Sequence, residues 1–248
     1  MPNPRFYIDF PLGQACVGTS LALPGDVAHH AVRVLRLPLG APIRLFDGRG
    51  GEYRAAIDRI DRHGVGARVD RFDPVDREWA GAPVLALAVI ATDPMDAAVR
   101  KAVELGAASI VPVVAARSQG AMRGARGTKR LQHWRSIAIA ACEQCGRNRV
   151  PPIAEPVALD DWLRGIGPAN LPGAIAGPGA TVSLAGFASR TPPRTVLVGP
   201  EGGFTEAEVT LAVARGFVPV HLGARVLRAD TAAVAALATL AAVAGDAR

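Results

Sequence analysis

The chain has 248 residues, half of them hydrophobic, and a mean hydropathy of +0.22. No apolar run reaches the ~18 to 20 residues that cross a bilayer, the start MPNPRFYIDFPLGQ lacks both parts of a secretory leader, and three cysteines are too few for a disulfide framework. These features predict a cytoplasmic protein of one or two compact domains. A net charge of +6 and a pI near 10.0 favour an anionic partner.

Residues 1–72 have the pattern of a small β-barrel. The stretches RFYIDF, APIRLFDG, GEYRAAIDRI and GVGARVDRF alternate in residue type and are separated by Gly and Asp turns. Between the first two, HHAVRVLRLPLG predicts a helix on which Arg33 and Arg36, three residues apart, share a face. Its adjacent histidines, His29 and His30, point about 100° apart, which argues against joint metal ligation and leaves packing or RNA contact. Residues 73–81 form the predicted linker.

Residues 82–248 predict an α/β domain with a mostly parallel sheet. The apolar runs PVLALAVI, SIVPVV, TVLVG and FVPVHLG suit strands that are buried on both faces. Helical stretches alternate with them. We expect a helix with Asp93 as N-cap and Gly106 as its stop, a long helix over GTKRLQHWRSIAIAACEQCG, a helix opened by a Thr205–Glu208 capping box, and a final helix over TAAVAALATLAAVAG.

Positive charge is concentrated between Arg117 and Arg149. This segment carries eight Lys or Arg residues against one acid, Glu143. It is a candidate nucleic-acid footprint, and a solvated helix face is the alternative. The only close cysteine pair, Cys142 and Cys145, has C-x-x-C spacing, but the sequence offers no convincing further ligands, so we predict no metal site.

Two glycine-rich turns follow predicted strands near the C-terminus, GPEGG after TVLVG and LGARVLRADT after FVPVHLG. Neither a dinucleotide fingerprint nor a P-loop follows the first strand PVLALAVI, which argues against a nucleotide-dependent oxidoreductase. Ligands of open α/β sheets bind beyond the carboxyl ends of the strands, so the two turns are candidate walls of one pocket. Each is otherwise a simple tight turn.

Five motifs in register resemble a known family. GPEGGFTEAEV, LGARVLRADTA, KAVELGAASIVPVVAARS, EQCGRNRVP and HHAVRVLRLPLG are similar to those of bacterial 16S rRNA (uracil-N3)-methyltransferases, members of the SPOUT or α/β-knot superfamily. The resemblance covers nearly the whole chain. It implies a PUA-like β-barrel, a C-terminal domain with a deep trefoil knot, S-adenosylmethionine as methyl donor, 16S rRNA or the small ribosomal subunit as partner, and a homodimer.

The resemblance also assigns site residues. It implies that the cofactor pocket is lined by Leu197, Gly199, Glu201, Gly202, Gly203, Leu222, Gly223, Val226, Leu227, Arg228 and Thr231. RNA contacts are implied for His30, Arg33, Arg36, Arg147, Asn148 and Arg149. The sequence departs from the family where Asp230 replaces the more usual Glu and Cys145 the more usual Ser.

Methyl transfer to uracil N3 requires loss of the proton on that nitrogen. We expect Arg228 and Arg149 to stabilise the resulting anion and Asp230 or Glu201 to accept the proton. Two of these assignments have structural alternatives: Glu201 as an exposed turn carboxylate near a helix N-terminus, and Asp230 as the N-cap of the last helix. A non-catalytic RNA-binding protein, or a related enzyme that acts on another RNA, is the remaining functional alternative.

Overall fold

The computed structural model describes residues 3–119 and 125–245, without the side chains of residues 125 and 126. The chain divides into an N-terminal unit, Met1–Glu78 with Cys142–Val150, and a C-terminal unit, Trp79–Ala141 with Pro151–Arg248. In the described residues, no helix combines the length and apolar character needed to span a membrane.

The N-terminal unit is built on a five-stranded sheet with the order β1-β3-β4-β5-β2. Its strands are β1 (Arg5–Tyr7), β2 (Ser20–Ala22), β3 (Pro42–Phe46), β4 (Glu52–Asp61) and β5 (Gly64–Asp73). The β1–β3 pair is parallel and the others are antiparallel. Alternating side chains from these strands, such as Phe6, Ile43 and Ile57, form a fully buried core. Helix α1 (Gly25–His29) continues as a π-helical turn over His30–Val34.

The C-terminal unit contains a seven-stranded sheet with the order β10-β12-β9-β11-β6-β7-β8. Its strands are β6 (Val84–Ala88), β7 (Ser109–Val114), β8 (Val157–Ala158), β9 (Gly173–Ala176), β10 (Val182–Ser183), β11 (Thr195–Val198) and β12 (Phe217–His221). Every strand pair in it is parallel. Parallel strands place their carboxyl ends at one edge, which gathers the loops that follow them.

Among the residues that the structure describes, six α-helices accompany this sheet, and the last residues of the longest one belong to the N-terminal unit. They are α2 (Thr92–Glu104), α3 (Ala125–Cys145), α4 (Leu159–Gly165), α5 (Leu184–Ala188), α6 (Glu206–Ala214) and α7 (Ala229–Ala244). Helix α7 packs against α2 and α5 and buries seven apolar residues, mostly alanines that allow close approach. The Thr205–Glu208 capping box is confirmed.

Two local predictions, and the structural alternative for Asp230, were wrong. Helix α2 begins two residues earlier than expected, after the N-cap Ala91, so Asp93 lies within the first turn. Arg228, not Asp230, is the N-cap of α7. Arg36 does not share a helical face with Arg33, because the helical turn ends at Val34 with Leu35 as its C-cap, and Arg36 takes the left-handed conformation with φ of 54°. The trefoil knot stays a prediction.

Candidate active site

A pocket of about 390 Å³ opens at the carboxyl edge of the seven-stranded sheet. It lies where three neighbouring strands, β12, β9 and β11, end side by side. Its walls are the turns that follow them: Ala176–Pro178 after β9, Gly199–Phe204 after β11 and Leu222–Leu227 after β12. The volume is within the range of small-molecule sites, and the lining is mainly apolar side chains and glycine backbone.

Most residues predicted to hold the cofactor line this pocket. Those that line it are Gly199, Glu201, Gly202, Gly203, Leu222, Gly223, Val226 and Leu227. Leu197 does not, because its side chain is fully buried in the core beneath the sheet edge. Arg228 and Thr231 also lie outside the lining, at the start of α7. Val226 is 82% exposed, the largest exposure among the bulky apolar residues of the pocket.

The glycines of the GPEGG turn have distinct steric roles. A Cβ at Gly199 would lie 3.1 Å from the Phe204 ring, and a Cβ at Gly202 would lie 3.3 Å from Cδ of Arg117. Gly203 has open space around it but adopts φ of 69°, a conformation that disfavours other residues. The turn after β12 likewise contains Gly223 with φ of 111°. Glycine is thus required here partly by packing and partly by backbone conformation.

The candidate catalytic residues near the pocket are open to a substrate. Glu201 is exposed on the pocket wall. Asp230 is half-buried in the first turn of α7, where a carboxylate is favoured by the helix dipole. Arg228 is exposed. None of the three makes a side-chain hydrogen bond or ion pair with another described residue. Arg149, the fourth candidate, belongs to the N-terminal unit.

The segment EQCGRNRVP supplies a buried polar network inside the N-terminal unit. The Arg147 side chain is 6% exposed and ion-paired with Glu78. Asn148 is 1% exposed, accepts a 2.5 Å hydrogen bond from Arg5 and donates a 3.0 Å bond to the carbonyl of Val75. Arg149 is half exposed, and its guanidinium donates to the Arg49 carbonyl at 2.8 Å. Arg147 and Asn148 therefore use their polar groups internally, whereas Arg149 reaches the surface.

Beside that network, Glu52 collects three arginines. Its side chain is 2% exposed and pairs with Arg5, with Arg44 at 2.9 Å and with Arg77 at 3.4 Å. Burial raises the pKa of the Glu52 carboxyl, but the hydrogen bond from Arg5 and the three positive charges outweigh it and hold the pKa below its ordinary value. The carboxylate is thus kept charged in the interior by its partners.

The C-x-x-C pair contributes a buried thiol. Burial, with the nearby Cys145, raises the pKa of Cys142 to about 12, so this thiol is protonated at neutral pH. Its Sγ lies 3.6 Å from the carbonyl of Arg149. No group of three or more potential metal ligands occurs within residues 3–119 and 125–245.

The end of the π-helical turn is a basic and apolar surface. Arg33 and Arg36 are exposed and have no ion pair among the residues described. Val34, Leu35 and Leu39 around them are 59%, 42% and 60% exposed. His30 is exposed as well, and its ring meets Phe6 edge-on at 5.7 Å. The surface is open to a partner on all these side chains.

The basic segment is less uniform than its sequence implies. Arg117 donates to the carbonyl of Gly202 at 2.7 Å, and Arg130 donates to Thr92 Oγ1 at 2.8 Å. Lys129 and Arg135 are exposed on α3. Arg123 lies outside the described residues, as does the side chain of Arg126. The segment thus combines internal contacts with a solvent-facing helix surface.

Sequence reasoning missed the third wall of the pocket. Strand β9 lies between β11 and β12, and the turn after it contributes Ala176, Gly177 and Pro178. Its sequence signal is the short apolar run AIA, between glycines and prolines in LPGAIAGPGA. A strand of four residues, three of them buried, is too short for periodicity to reveal, so no strand was predicted there.

Comparison with known proteins identifies both units. Residues 78–241 match the family described as RNA methyltransferase domain, and residues 23–70 match the RNA methyltransferase PUA domain. These matches confirm the PUA-like character of the N-terminal part and the methyltransferase character of the C-terminal part.

Individual relatives resemble the whole chain. A ribosomal RNA small subunit methyltransferase E from Neisseria gonorrhoeae, solved bound to S-adenosyl methionine, is 34% identical with a TM-score of 0.87, covering 97% of this chain and 98% of that one. A putative methyltransferase from Legionella pneumophila, solved with bound SAM, is 33% identical with a TM-score of 0.89 and 98% coverage of both chains. A ribosomal RNA small subunit methyltransferase E from Synechocystis is 33% identical, covering 86% of this chain and 69% of its own. The chain therefore belongs to the family of ribosomal RNA small subunit methyltransferases E.

Proposed function

We propose that the protein transfers a methyl group from S-adenosylmethionine to N3 of a specific uridine in 16S rRNA. The observation that carries this proposal is the pocket formed by three turns at adjacent carboxyl ends of a parallel sheet, in a chain of the RNA methyltransferase family. The names of the relatives specify the RNA of the small ribosomal subunit, which in bacteria is 16S rRNA. The uracil N3 target rests on the motif resemblance. A ribosomal RNA substrate implies work in the cytoplasm.

The pocket fits S-adenosylmethionine chemically. Its glycine turns expose backbone N–H and C=O groups to a planar heterocycle, and Val198, Val209 and Leu227 supply apolar contact. Glu201 places a carboxylate at the wall, which suits a cationic ligand without phosphate. When bound, the cofactor supplies an electrophilic methyl group on a sulfonium sulfur. We assign its binding to the predicted set, with Leu197, Arg228 and Thr231 acting from beside the pocket.

Residues of the chain must then manage the uracil proton. Asp230 and Glu201 are the candidate acceptors, since each has a carboxylate without an internal partner among the described residues. Arg228 and Arg149 are the candidate cations that stabilise negative charge on the base. A target base must leave its stack before chemistry can reach it, and exposed arginines are suited to hold the displaced nucleotide and its phosphates.

RNA recruitment is assigned to the N-terminal unit. His30, Arg33 and Arg36 present exposed polar side chains, and Arg149 presents a half-exposed guanidinium. Arg147 and Asn148 support the segment that carries Arg149 through their internal contacts. The domain division that we propose, 1–72 for RNA recruitment and 82–248 for methyl transfer with 73–81 as linker, follows this separation of charged surface and pocket.

We further propose a homodimer that packs through the α/β domain. Helix α7 keeps Ala238 and Ala242 exposed, and their spacing of four residues places them on one face. Light scattering after size exclusion should give twice the chain mass of 25.7 kDa. A monomer at micromolar concentration would rule this assembly out.

A methyl-transfer assay tests the function directly. It combines the purified protein with labelled S-adenosylmethionine and with small ribosomal subunits that lack the modification. We expect label in 16S rRNA, recovered as 3-methyluridine after digestion. Loss of the proton acceptor should lower kcat about 10²- to 10⁴-fold. Asp230→Asn should do so with cofactor affinity retained, whereas Glu201→Gln also removes a carboxylate from the pocket wall and should weaken cofactor binding, so the two variants distinguish the two candidates. Glu206→Gln, an exposed carboxylate on α6, is the control. Cofactor binding without methyl transfer to any RNA would contradict the proposal.

A further inference from the structure

The loop after β7 contacts the cofactor turn although their strands are not neighbours. Strand β6 separates β7 from β11 in the sheet. Nevertheless the guanidinium of Arg117 donates to the carbonyl of Gly202 at 2.7 Å, and the backbone N–H of Ala116 donates to Glu208 Oε1 at 2.7 Å. Residues 115–118, after β7, therefore reach past the end of β6 and hold the GPEGG turn that follows β11.

Glu208 joins three elements through one carboxylate. It is 6% exposed in the first turn of α6. Its Oε2 accepts from the backbone N–H of Thr205 at 2.7 Å and from Thr205 Oγ1 at 3.0 Å, while Oε1 accepts from Ala116. The capping box alone uses only Oε2. The second oxygen is thus left to link the helix start, and the glycine turn before it, to the β7 loop.

The β7 loop is itself held in shape. Ser118 N–H donates to the carbonyl of Ala115 at 3.0 Å, which closes a tight turn, and Ser118 Oγ accepts from the Ala115 N–H at 3.0 Å. The Arg117 side chain lies directly over Gly202, since a Cβ built there would be 3.4 Å from Cβ of Arg117. The β7 loop is thus fixed, and its Arg117 side chain packs closely on Gly202. This contact restricts movement of the GPEGG turn.

We propose that Arg117 and Glu208 are positioning residues that hold the GPEGG turn in its cofactor-binding conformation. The inference rests on the proposed function, since it concerns the same pocket. Fixing the Gly202 carbonyl and the start of α6 preorganises the backbone that approaches the ligand, so less ordering is required on binding. Arg117, the first cation of the basic segment, then serves the pocket and not an RNA phosphate.

Three variants remove the two links separately. Arg117→Ala removes the bond to Gly202. Ala116→Pro removes the N–H donor to Glu208 at the second position of a tight turn, where proline is favoured, and leaves the capping box intact. Glu208→Gln keeps the shape but leaves an NH₂ group facing either Ala116 or Thr205. Calorimetry should show S-adenosylmethionine binding about five- to tenfold weaker for each.

Steady-state kinetics separate positioning from general damage. The KM for S-adenosylmethionine should rise by the same factor, while the KM for the ribosomal substrate and the salt dependence of RNA binding stay at their wild-type values. If the NH₂ group that Glu208→Gln introduces faces Ala116, then Ala116→Pro and Glu208→Gln disrupt the same bond, and their combination should weaken binding by less than the product of the two single effects; if it faces Thr205, the two effects should multiply. Glu206→Gln and Arg100→Ala, exposed on α6 and α2, are the matched controls.

The possible results distinguish a failure of the positioning role from a failure of the proposed function. Variants that bind the cofactor as tightly as the wild type overturn the positioning role while leaving the proposed function intact. If Arg117→Ala leaves cofactor binding unchanged and instead reduces the slope of log affinity against log salt by about 0.7 to 0.9, Arg117 contacts phosphate and the inference is wrong. A wild-type protein that binds no S-adenosylmethionine overturns the proposed function and the positioning role together.

Discussion

Two groups of arginines in the N-terminal unit have opposite environments. Arg5 and Arg44 are largely buried around Glu52, and Arg147 is buried against Glu78. Arg33 and Arg36 lie at a helix end, exposed and without acidic partners among the described residues. The first group is largely enclosed and ion-paired, whereas the second is open to a ligand.

The difference separates charge that stabilises from charge that binds. A buried pair is costly to break, because the remaining charge stays in the interior without compensation. An exposed arginine contributes little to folding, and its removal changes mainly the affinity for a partner. Substitutions in the two groups should therefore affect different measurements.

The largest effect is expected for Glu52→Gln. The change leaves Arg5 and Arg44 facing a neutral amide in a site whose carboxylate side chain is 2% exposed. We expect the free energy of unfolding to fall by about 3 to 5 kcal/mol, measured by denaturant titration. Glu155→Gln, an exposed carboxylate, should change it little. A loss below about 1 kcal/mol would remove the distinction between the groups.

Lowering the pH should destabilise the protein through the same carboxylate, because protonation removes the charge of Glu52 as Glu52→Gln does. The partners of Glu52 hold its pKa below the ordinary value of 4.5 in the folded state. The unfolded chain therefore binds the proton more readily, and the stability from this group is complete above pH 4.5 and is lost as pH falls through the folded pKa. In Glu52→Gln this part of the acid loss should disappear, which urea titrations between pH 6 and about pH 3 will show.

Asn148→Ala should have the next largest effect, and on the same measurement. The change leaves the Val75 carbonyl without its donor and Arg5 without one acceptor in the interior. We expect a loss of about 1 to 3 kcal/mol in unfolding free energy. The salt slope of RNA binding should stay unchanged. A changed salt slope at wild-type stability would instead place Asn148 in direct contact with RNA.

The exposed pair should show the opposite result. Arg33→Ala with Arg36→Ala should reduce the slope of log RNA affinity against log salt by about 0.7 per contact to single strands, or 0.9 in duplex. The unfolding free energy should change by no more than about 0.5 kcal/mol, and the cofactor affinity should not change. Arg62→Ala with Arg68→Ala, also exposed on this unit, is the control. RNA binding that keeps its wild-type slope would reduce the pair to ordinary surface charge.

The smallest effect isolates backbone strain at Arg36. Its φ of 54° disfavours any residue with a Cβ, so Arg36→Gly should raise the unfolding free energy by about 0.5 to 1 kcal/mol while weakening RNA binding. Arg33→Gly, in the helical turn, should lower it by about the same amount. Equal signs for the two substitutions would show that the left-handed position stores no strain.

Much of the fold followed from apolar pattern. The strands β6, β7, β11 and β12 were predicted because each lies in a continuous apolar run of the sequence, and the Thr205–Glu208 box was predicted because capping is local chemistry. Strand β9 was missed, since its order between β11 and β12 is a property of the sheet and not of its four residues. The pocket was therefore predicted with two of its three walls.

The roles of the charged residues were harder to predict, because a sequence motif does not show which of its side chains are buried. Arg147 and Arg149 are two residues apart in EQCGRNRVP, yet one is internal and the other half exposed. Glu208 was predicted as a cap, but its second oxygen bonds Ala116, which is 92 residues away in the chain. Contacts of that kind depend on which loops meet at the edge of the sheet, and they cannot be predicted from the spacing of residues in the sequence.

The central claim is that this chain methylates N3 of a uridine in 16S rRNA. Its most direct test is mass-spectrometric mapping of modified nucleosides in 16S rRNA from cells with and without the gene. We expect one 3-methyluridine that is absent without the gene and returns when the wild-type gene is restored, but not when a Gly202→Val copy is supplied. An identical set of modified nucleosides with and without the gene would contradict it.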